Sequence, residues 1–527
     1  MKKNIFKYII TAAFLVGGVA SCTKKLDLLP TNDVTASQVY SSPAGYKQAF
    51  AKLYGSFALT GNQGPSGNGD IQGIDEGTSD FLRLYWKAQE LSTDEAVVAW
   101  GDPGIQDFHN MNWSSSNPML TGLYYRAYYQ ITLCNDFINQ ASDANLTSRG
   151  ISGADADAIK LYKTEARFLR AFQYWVIMDL FGSGPFATEN DKLGSVLPQQ
   201  ASRTALFSYV ESELKAIEGS LVAAKANEYG RADKAAAWSL LARLYLNAQV
   251  YTGTAKWADA ITYSKKVIDA GYTLIPNYAQ LMLADNHLNT SEFIFTINYD
   301  GLKTQNWGGT TFLAHAPIGG AMTASDFGVD GGWGGVRTTK NLPAMFPDVT
   351  GTADKRSQFY TGGQSLEISD LTKFTDGYAV TKFKNKTRAG ANGSSLTFPD
   401  IDFPIFRLAE QYLIYAEASL RGAGDVTQSL TYINNLRTRA YGNASGNISA
   451  GQLTTDFILD ERARELYWEG FRRTDLIRYN KFVESSYLWP WKGGVKSGTS
   501  VDAYRKVYPI PSSDISSNVN LKQNTGY

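Results

Sequence analysis

The sequence predicts a mainly α-helical chain: a scaffold of paired helices interrupted by an irregular, partly β insertion. Three observations predict it. In residues 159–186, Tyr162, Ala166, Leu169, Phe172, Val176 and Leu180 recur every three or four residues, which is one apolar helix face. Phe168, Ala171, Trp175 and Met178 form a second face, so this helix is expected to be packed on both sides. Later segments such as AAAWSLLARLYLNA mix small and aromatic residues, which lets neighbouring helices approach closely around Leu241, Leu244 and Tyr245. Finally, the helical pattern fails over residues 271–403, where one run, SEFIFTINY, alternates Phe293, Phe295, Ile297 and Tyr299 as a strand does.

The chain begins MKKNIFKYIITAAFLVGGVASC. A basic start, a short apolar run and small residues make a secretory signal over residues 1–21, too short to read as a membrane span. Val19-Ala20-Ser21-Cys22 resembles a bacterial lipobox, which implies cleavage before Cys22 and acylation of its thiol. Residues 22–33 then form a lipidated tether, and several acyl chains anchor far more firmly than one. The first helical part spans residues 34–270. A helix is expected over residues 37–59, burying Tyr40, Tyr46, Phe50, Leu53, Tyr54 and Phe57. Residues 60–119 form a loop region, Gly-, Asn- and Ser-rich at first and then carrying Trp86, Trp100 and Trp113. Residues 120–141 are helical, with Leu123, Ala127, Ile131, Cys134 and Ile138 in register. The central helix ends at Gly182, with Pro185 beyond it, as a left-handed C-cap requires. Helices at 204–225, 234–251 and 256–270 follow, and these pairs resemble tetratricopeptide-like repeats of loose period.

In the insertion, residues 301–335 hold 10 glycines in 35 positions, against 48 in 527 overall, an excess that marks loops with positive φ or close backbone approach. Residues 378–384 are a second candidate strand. The C-terminal helical part and tail, residues 404–527, carry helices at 407–421, 425–441, 455–470 and 471–482.

Charge and composition exclude several functions. The 50 Lys and Arg balance 50 Asp and Glu, and without Lys2, Lys3 and Lys7 of the signal the net charge is −3. Nothing attracts nucleic acid. After residue 22 no run of about 18 apolar residues exists to span a bilayer. Two cysteines build neither a disulfide framework nor a metal site. The three histidines are dispersed, and H-E-x-x-H, G-x-S-x-G and phosphate-loop motifs are absent, so no catalytic residue is assigned. Glu461, Glu465 and Glu469 share a helix face among Arg462, Arg464, Arg472, Arg473 and Arg478, with Asp475 nearby; this reads as a buried ion network rather than an active site. Asp326 and Asp330 are candidate calcium ligands, but their spacing fits a solvated turn better than a binding loop. No cofactor and no metal is expected.

Four ordered blocks carry a family resemblance: TEARFLRAFQYWVIMDLFGSGPF, FPIFRLAEQYLIYAEASL, LDERARELYWEGFRRTDLIRYNKF and YPIPSSDISSNVNLKQNTGY. Behind a lipobox, they resemble the SusD/RagB family of outer-membrane nutrient-uptake lipoproteins. The resemblance implies a tetratricopeptide-like scaffold and a non-enzymatic, glycan-binding lipoprotein on the outer membrane. It implies a SusC-type TonB-dependent transporter as partner. Peptide capture on the same scaffold and a surface glycoside hydrolase are the alternatives. Residues 82–102 resemble a region that helps form the glycan site in relatives, which nominates Arg83, Trp100 and Asp102. Exposed aromatics stack on sugar rings. Trp113, Tyr299, Trp307 and Trp333, in polar and glycine-rich stretches, complete the expected ligand site. Trp175 and Trp238 are expected in the core.

Overall fold

The computed structural model describes residues 36–527, apart from 192, 193 and 195. The predicted signal peptide, Cys22 and the predicted tether lie outside the described residues. The architecture is mainly helical, as predicted.

The first helical stretch breaks in two. A short turn at Ala36–Val39 ends before α1 (Pro43–Ala58), because Pro43 at the first helical position offers no N–H and Ser42 caps the new start, accepting from Gly45 N at 3.3 Å. Next come α2 (Phe81–Glu90), α3 (Pro118–Gln140) and the 28-residue α4 (Gly153–Leu180). The central helix α4 packs against α3 on one side and α5 (Arg203–Glu218) on the other, as its two apolar faces predict. Gly182 takes φ 75° just after its end. The stack continues through α6 (Lys234–Leu246) and α7 (Trp257–Asp269), with Ala235, Ala236 and Ala242 fully buried in the seam. Trp175 is buried, but Trp238 is only half-buried: its indole N–H reaches Glu218 Oε1 at 2.8 Å, and that carboxylate sits at the helix surface.

The insertion is rooted on two strands. β1 (Phe293–Ile297) pairs antiparallel with β2 (Phe403–Arg407), so Phe293 faces Arg407 and Ile297 faces Phe403. Every residue of both strands is buried, whereas the alternation predicts one wet face. The ladder is covered twice: Phe295 and Phe406 meet Phe168 and Phe172 of α4, while Phe403 stacks on Phe383 of the insertion. Of the second candidate strand, Ala379–Val380 pairs with Phe359–Tyr360, while Tyr378 and Lys384 form single bridges to Thr338 and Leu283. Within the insertion lies α8 (Gly309–His315).

After β2, α9 (Leu408–Ala418) packs on α7, α10 (Val426–Tyr441) and α11 (Thr455–Leu466), and α12 (Arg472–Arg478) follows. The helix predicted over 455–470 stops at Leu466, so only Glu461 and Glu465 share a face of α11, and Glu469 lies in the turn beyond; all three meet cations from distant parts of the chain. Arg356 bridges Asp354 and Glu461 at 2.7 and 2.8 Å. Arg407 reaches Glu465 and Glu469 at 2.7 Å and Glu292 at 3.0 Å, and Lys382 lies 2.6 Å from Glu469. Burial alone would hinder ionisation of Glu465, but Arg439, Arg407 and Arg356 bring it down to about 2. The network is structural, joining insertion to scaffold.

Between α11 and α12 the chain turns through Trp468 at φ 64° and Gly470 at φ 84°. Buried acids hold this turn: Glu95 accepts from Trp468 N at 3.1 Å, and Glu90 accepts from Gly470 N at 2.7 Å. Trp86, expected in a loop, instead lies inside α2, buried, with its indole N–H on Trp468 O at 3.0 Å.

Candidate functional site: an aromatic platform

Helix α2 sets the base of the site. Asp80 caps it, Oδ1 accepting from Arg83 N at 2.6 Å, and the same oxygen accepts from Gly309 N at 2.8 Å, tying α2 to the start of α8. Arg83 projects one turn on. Its Nη1 donates to Gly77 O at 2.9 Å and Trp307 O at 3.0 Å, while its guanidinium lies 4.9 Å from the Phe312 ring and 5.7 Å from Trp333. Burial pulls the Arg83 guanidinium below the usual arginine value, and the charge of Asp102 leads the opposing effects. Lys87, one helical turn further, is also fully buried, and burial lowers its ammonium well below the ordinary lysine value.

Three tryptophans gather above this base. Val97 and Arg337 form an antiparallel bridge, with N–O distances of 2.8 and 3.1 Å, which brings Trp100 onto the glycine-rich turn at 331–335. Gly335 is required there, since a Cβ at that position lies 2.0 Å from the Trp100 indole. Trp333 sits next, 6.3 Å from Trp100 and 6.4 Å from Trp307 by ring centroids, and Trp307 lies 5.0 Å from Phe398. Each of the three tryptophans is half-buried, so each is supported from below while part of the ring meets solvent.

The platform is fixed before any ligand arrives. His315 stacks on Trp333 at 5.1 Å and 21°, and its ring nitrogens lie 2.6 Å from Gly331 O and 3.0 Å from Thr397 O. Trp307 donates its indole N–H to Ser66 Oγ at 2.9 Å. A row of rigid rings with polar groups at its margin suits a ligand that is flat, apolar on its faces and hydroxylated at its edges.

Of the seven ligand residues predicted from sequence, the structure brings five together: Arg83, Trp100, Asp102, Trp307 and Trp333. Trp113 and Tyr299 are corrected. Trp113 is buried under the C-terminal tail, its indole N–H on Tyr527 Oη at 2.6 Å and the Arg505 guanidinium 5.3 Å from its ring. Tyr299 continues β1 into the core, its ring packed against Gly309 and its backbone N–H held by Asp402 Oδ1 at 2.7 Å. Phe398, His315 and Lys87 belong to the site or its support but are missed. Nothing in local spacing marks them, apart from Lys87 lying four residues after Arg83 on one helix face. Among the described residues no group of three or more His, Cys, Asp or Glu is arranged to hold a metal ion, and Asp330 instead accepts from Thr397 Oγ1.

Comparison with known proteins follows the same lines. The sequence profile of the SusD family matches residues 349–527. Starch-binding protein SusD of Bacteroides thetaiotaomicron is 36% identical over 577 aligned positions, covering 100% of both chains. SusD-like protein P25 of Formosa agariphila is 25% identical, covering 98% of this chain and 99% of its own. Among solved structures, a SusD homolog from Bacteroides thetaiotaomicron superposes with TM-score 0.71 at 16% identity, over 94% of this chain and 99% of that one. Surface glycan-binding protein A from Bacteroides thetaiotaomicron, in complex with laminarihexaose, superposes with TM-score 0.68 at 21% identity, over 91% of this chain and 99% of that one. With a full-length relative at this identity and the profile match to its C-terminal part, the chain belongs to the SusD family.

Proposed function

We propose that this protein captures a glucose-based glycan on the Trp100–Trp333–Trp307 platform, at the cell surface, without cleaving it, and passes it to a SusC-type TonB-dependent transporter. The single observation that carries the reading is the row of three half-buried tryptophans, locked by Gly335, His315 and Ser66, with Arg83 and Asp102 beside it. Pyranose rings stack on indoles through their C–H faces while charged and amide groups take hydroxyls. A full-length relative is named for starch, and a structural neighbour was solved with laminarihexaose; both are glucose polymers, which supports that ligand class. Neither relative is named for a reaction, which supports capture without turnover. Acylation of Cys22 is the proposed anchor.

The test uses the mature chain in native gels containing amylopectin or laminarin. Retardation by one of them, with no new reducing ends released on long incubation, is the expected outcome. Reducing ends that vanish on substitution of one Asp or Glu would establish the hydrolase instead.

A further inference from the structure

Tyr229 occupies an unusual position. It sits at the tip of the loop between α5 and α6, 36% exposed, yet its hydroxyl is fastened to buried Asp402 Oδ2 at 2.8 Å. Three clefts, of about 190, 190 and 480 Å³, meet at this ring. The first is bounded by Lys225 and Ile294, the second by Tyr54 and Asn298, and the third by His287 and Asp400. Gly230, at φ 81°, lets the loop backbone lie against Asn298, since a Cβ there lies 2.3 Å from its amide nitrogen. The groove also borders the platform's own supports. Residues 299–307 and 394–402 both contribute to the 480 Å³ cleft, and they carry Trp307 and Phe398.

We infer that this groove is a second glycan subsite, with Tyr229 as its stacking ring, binding another stretch of the same neutral polysaccharide; the inference rests on the glycan reading above. The groove's charges are already engaged. Asp400 accepts from Gly301 N and Ser394 Oγ, Asp402 from Tyr299 N and Tyr229 Oη, and Asp300 from Leu302 N. Lys225 Nζ donates to Gly271 O, Lys303 Nζ lies 3.4 Å from Asp300 Oδ2, and Arg231 pairs with Glu165 and Glu228. What remains open is the Tyr229 ring, the exposed imidazole of His287 and the exposed Asn298 amide, whose N–H donors have no acceptor among the described residues. A ring face with an amide and an imidazole beside it suits a polyhydroxylated ligand that stacks and hydrogen-bonds at once. Two subsites on one rigid body raise the effective concentration of a long chain at the second once the first is filled.

The experiment is a hydrogen-exchange footprint of the mature chain with amylopectin and with laminarin. Variants Tyr229→Ala, Asn298→Ala and the Trp100→Ala/Trp333→Ala pair are compared with wild type. The expected result is protection at residues 225–233 and 298–304 as well as at the platform. Groove protection persists in the tryptophan double variant. In Tyr229→Ala and Asn298→Ala it disappears, polymer binding weakens by about fivefold and platform protection remains. Protection at the platform alone overturns the subsite and leaves the glycan reading standing. Protection at the groove alone keeps the subsite and overturns the platform, and no protection by either polymer overturns both.

Discussion

Glu90 and Glu95 are both buried in the core, close enough for each to shift the other's ionisation, so two negative charges there are disfavoured. Burial, reinforced by the neighbour, holds Glu90 well above the carboxylate range, and burial lifts Glu95 to about 7. A folded-state value raised from 4.5 to about 7 means that the native protein binds more protons than the unfolded chain within that window. Glu95's stabilising contribution is therefore full below the unfolded value and is lost as pH rises through about 7, and Glu90's persists to higher pH. Glu90→Gln keeps an acceptor for Gly470 N and gives Glu95 a permanent N–H donor. Urea unfolding of this variant between about pH 5 and pH 8 is expected to show a flatter stability profile than wild type. Equal slopes for the two proteins would contradict the shared-proton description.

At this same scale the sequence separates the tryptophans only partly. Trp100, Trp307 and Trp333 are legible as platform residues because they stand in glycine-rich or polar stretches. Trp86 looks alike by that criterion, yet it lies in a helix all ten of whose residues are buried. With no wet face, that helix leaves no apolar–polar period to read. Trp113 is covered by Tyr527 and Arg505 from the far end of the chain, a contact that local spacing does not encode.

At the scale of elements, the insertion is held to the scaffold by two acids of α11 and one in the turn that follows it. Glu461, Glu465 and Glu469 are legible at their four-residue spacing. Three of their cationic partners are not: Arg356 and Lys382 come from the insertion, and Arg407 ends β2 just beyond it. Removing one member of a buried ion cluster strands the others without water or counter-charge. Arg407→Met leaves Glu292, Glu465 and Glu469 underpaired, and the expected loss is about 3–5 kcal/mol in urea unfolding. A loss under about 1 kcal/mol, the range of exposed pairs, would show that the cluster is not load-sharing in this way. Arg439, Arg407 and Arg356 hold Glu465 at about 2, so this network keeps its contribution above the unfolded carboxylate value and loses it as pH falls toward 2, the opposite sign to Glu90 and Glu95.

Across the whole molecule, helices supply the stack, and the proposed recognition surface is shared between the insertion, with Trp307 and Trp333, and the first helical part, with Arg83, Trp100 and Asp102. The helix stack is legible in the sequence because its apolar periods are long and regular. The platform's assembly is not, because Trp100 and Trp333 are separated by more than two hundred residues and meet through one backbone bridge, Val97 to Arg337. The proposed delivery role places this body over a transporter pore, with the Cys22 anchor holding it at the membrane and raising the local concentration of captured chains. Mild detergent extraction from cells with the operon intact is expected to yield a complex with a large TonB-dependent receptor, and isolation of the chain by itself would count against delivery.

The central claim is that the tryptophan platform binds the glycan, and the most direct measurement is affinity electrophoresis of the Trp100→Ala/Trp333→Ala variant against wild type. With each stack contributing about 1 kcal/mol, the double variant should bind at least about tenfold more weakly while its circular dichroism and unfolding midpoint stay near wild type. Unchanged retardation in a gel of amylopectin or laminarin that retards the wild-type chain would contradict the account.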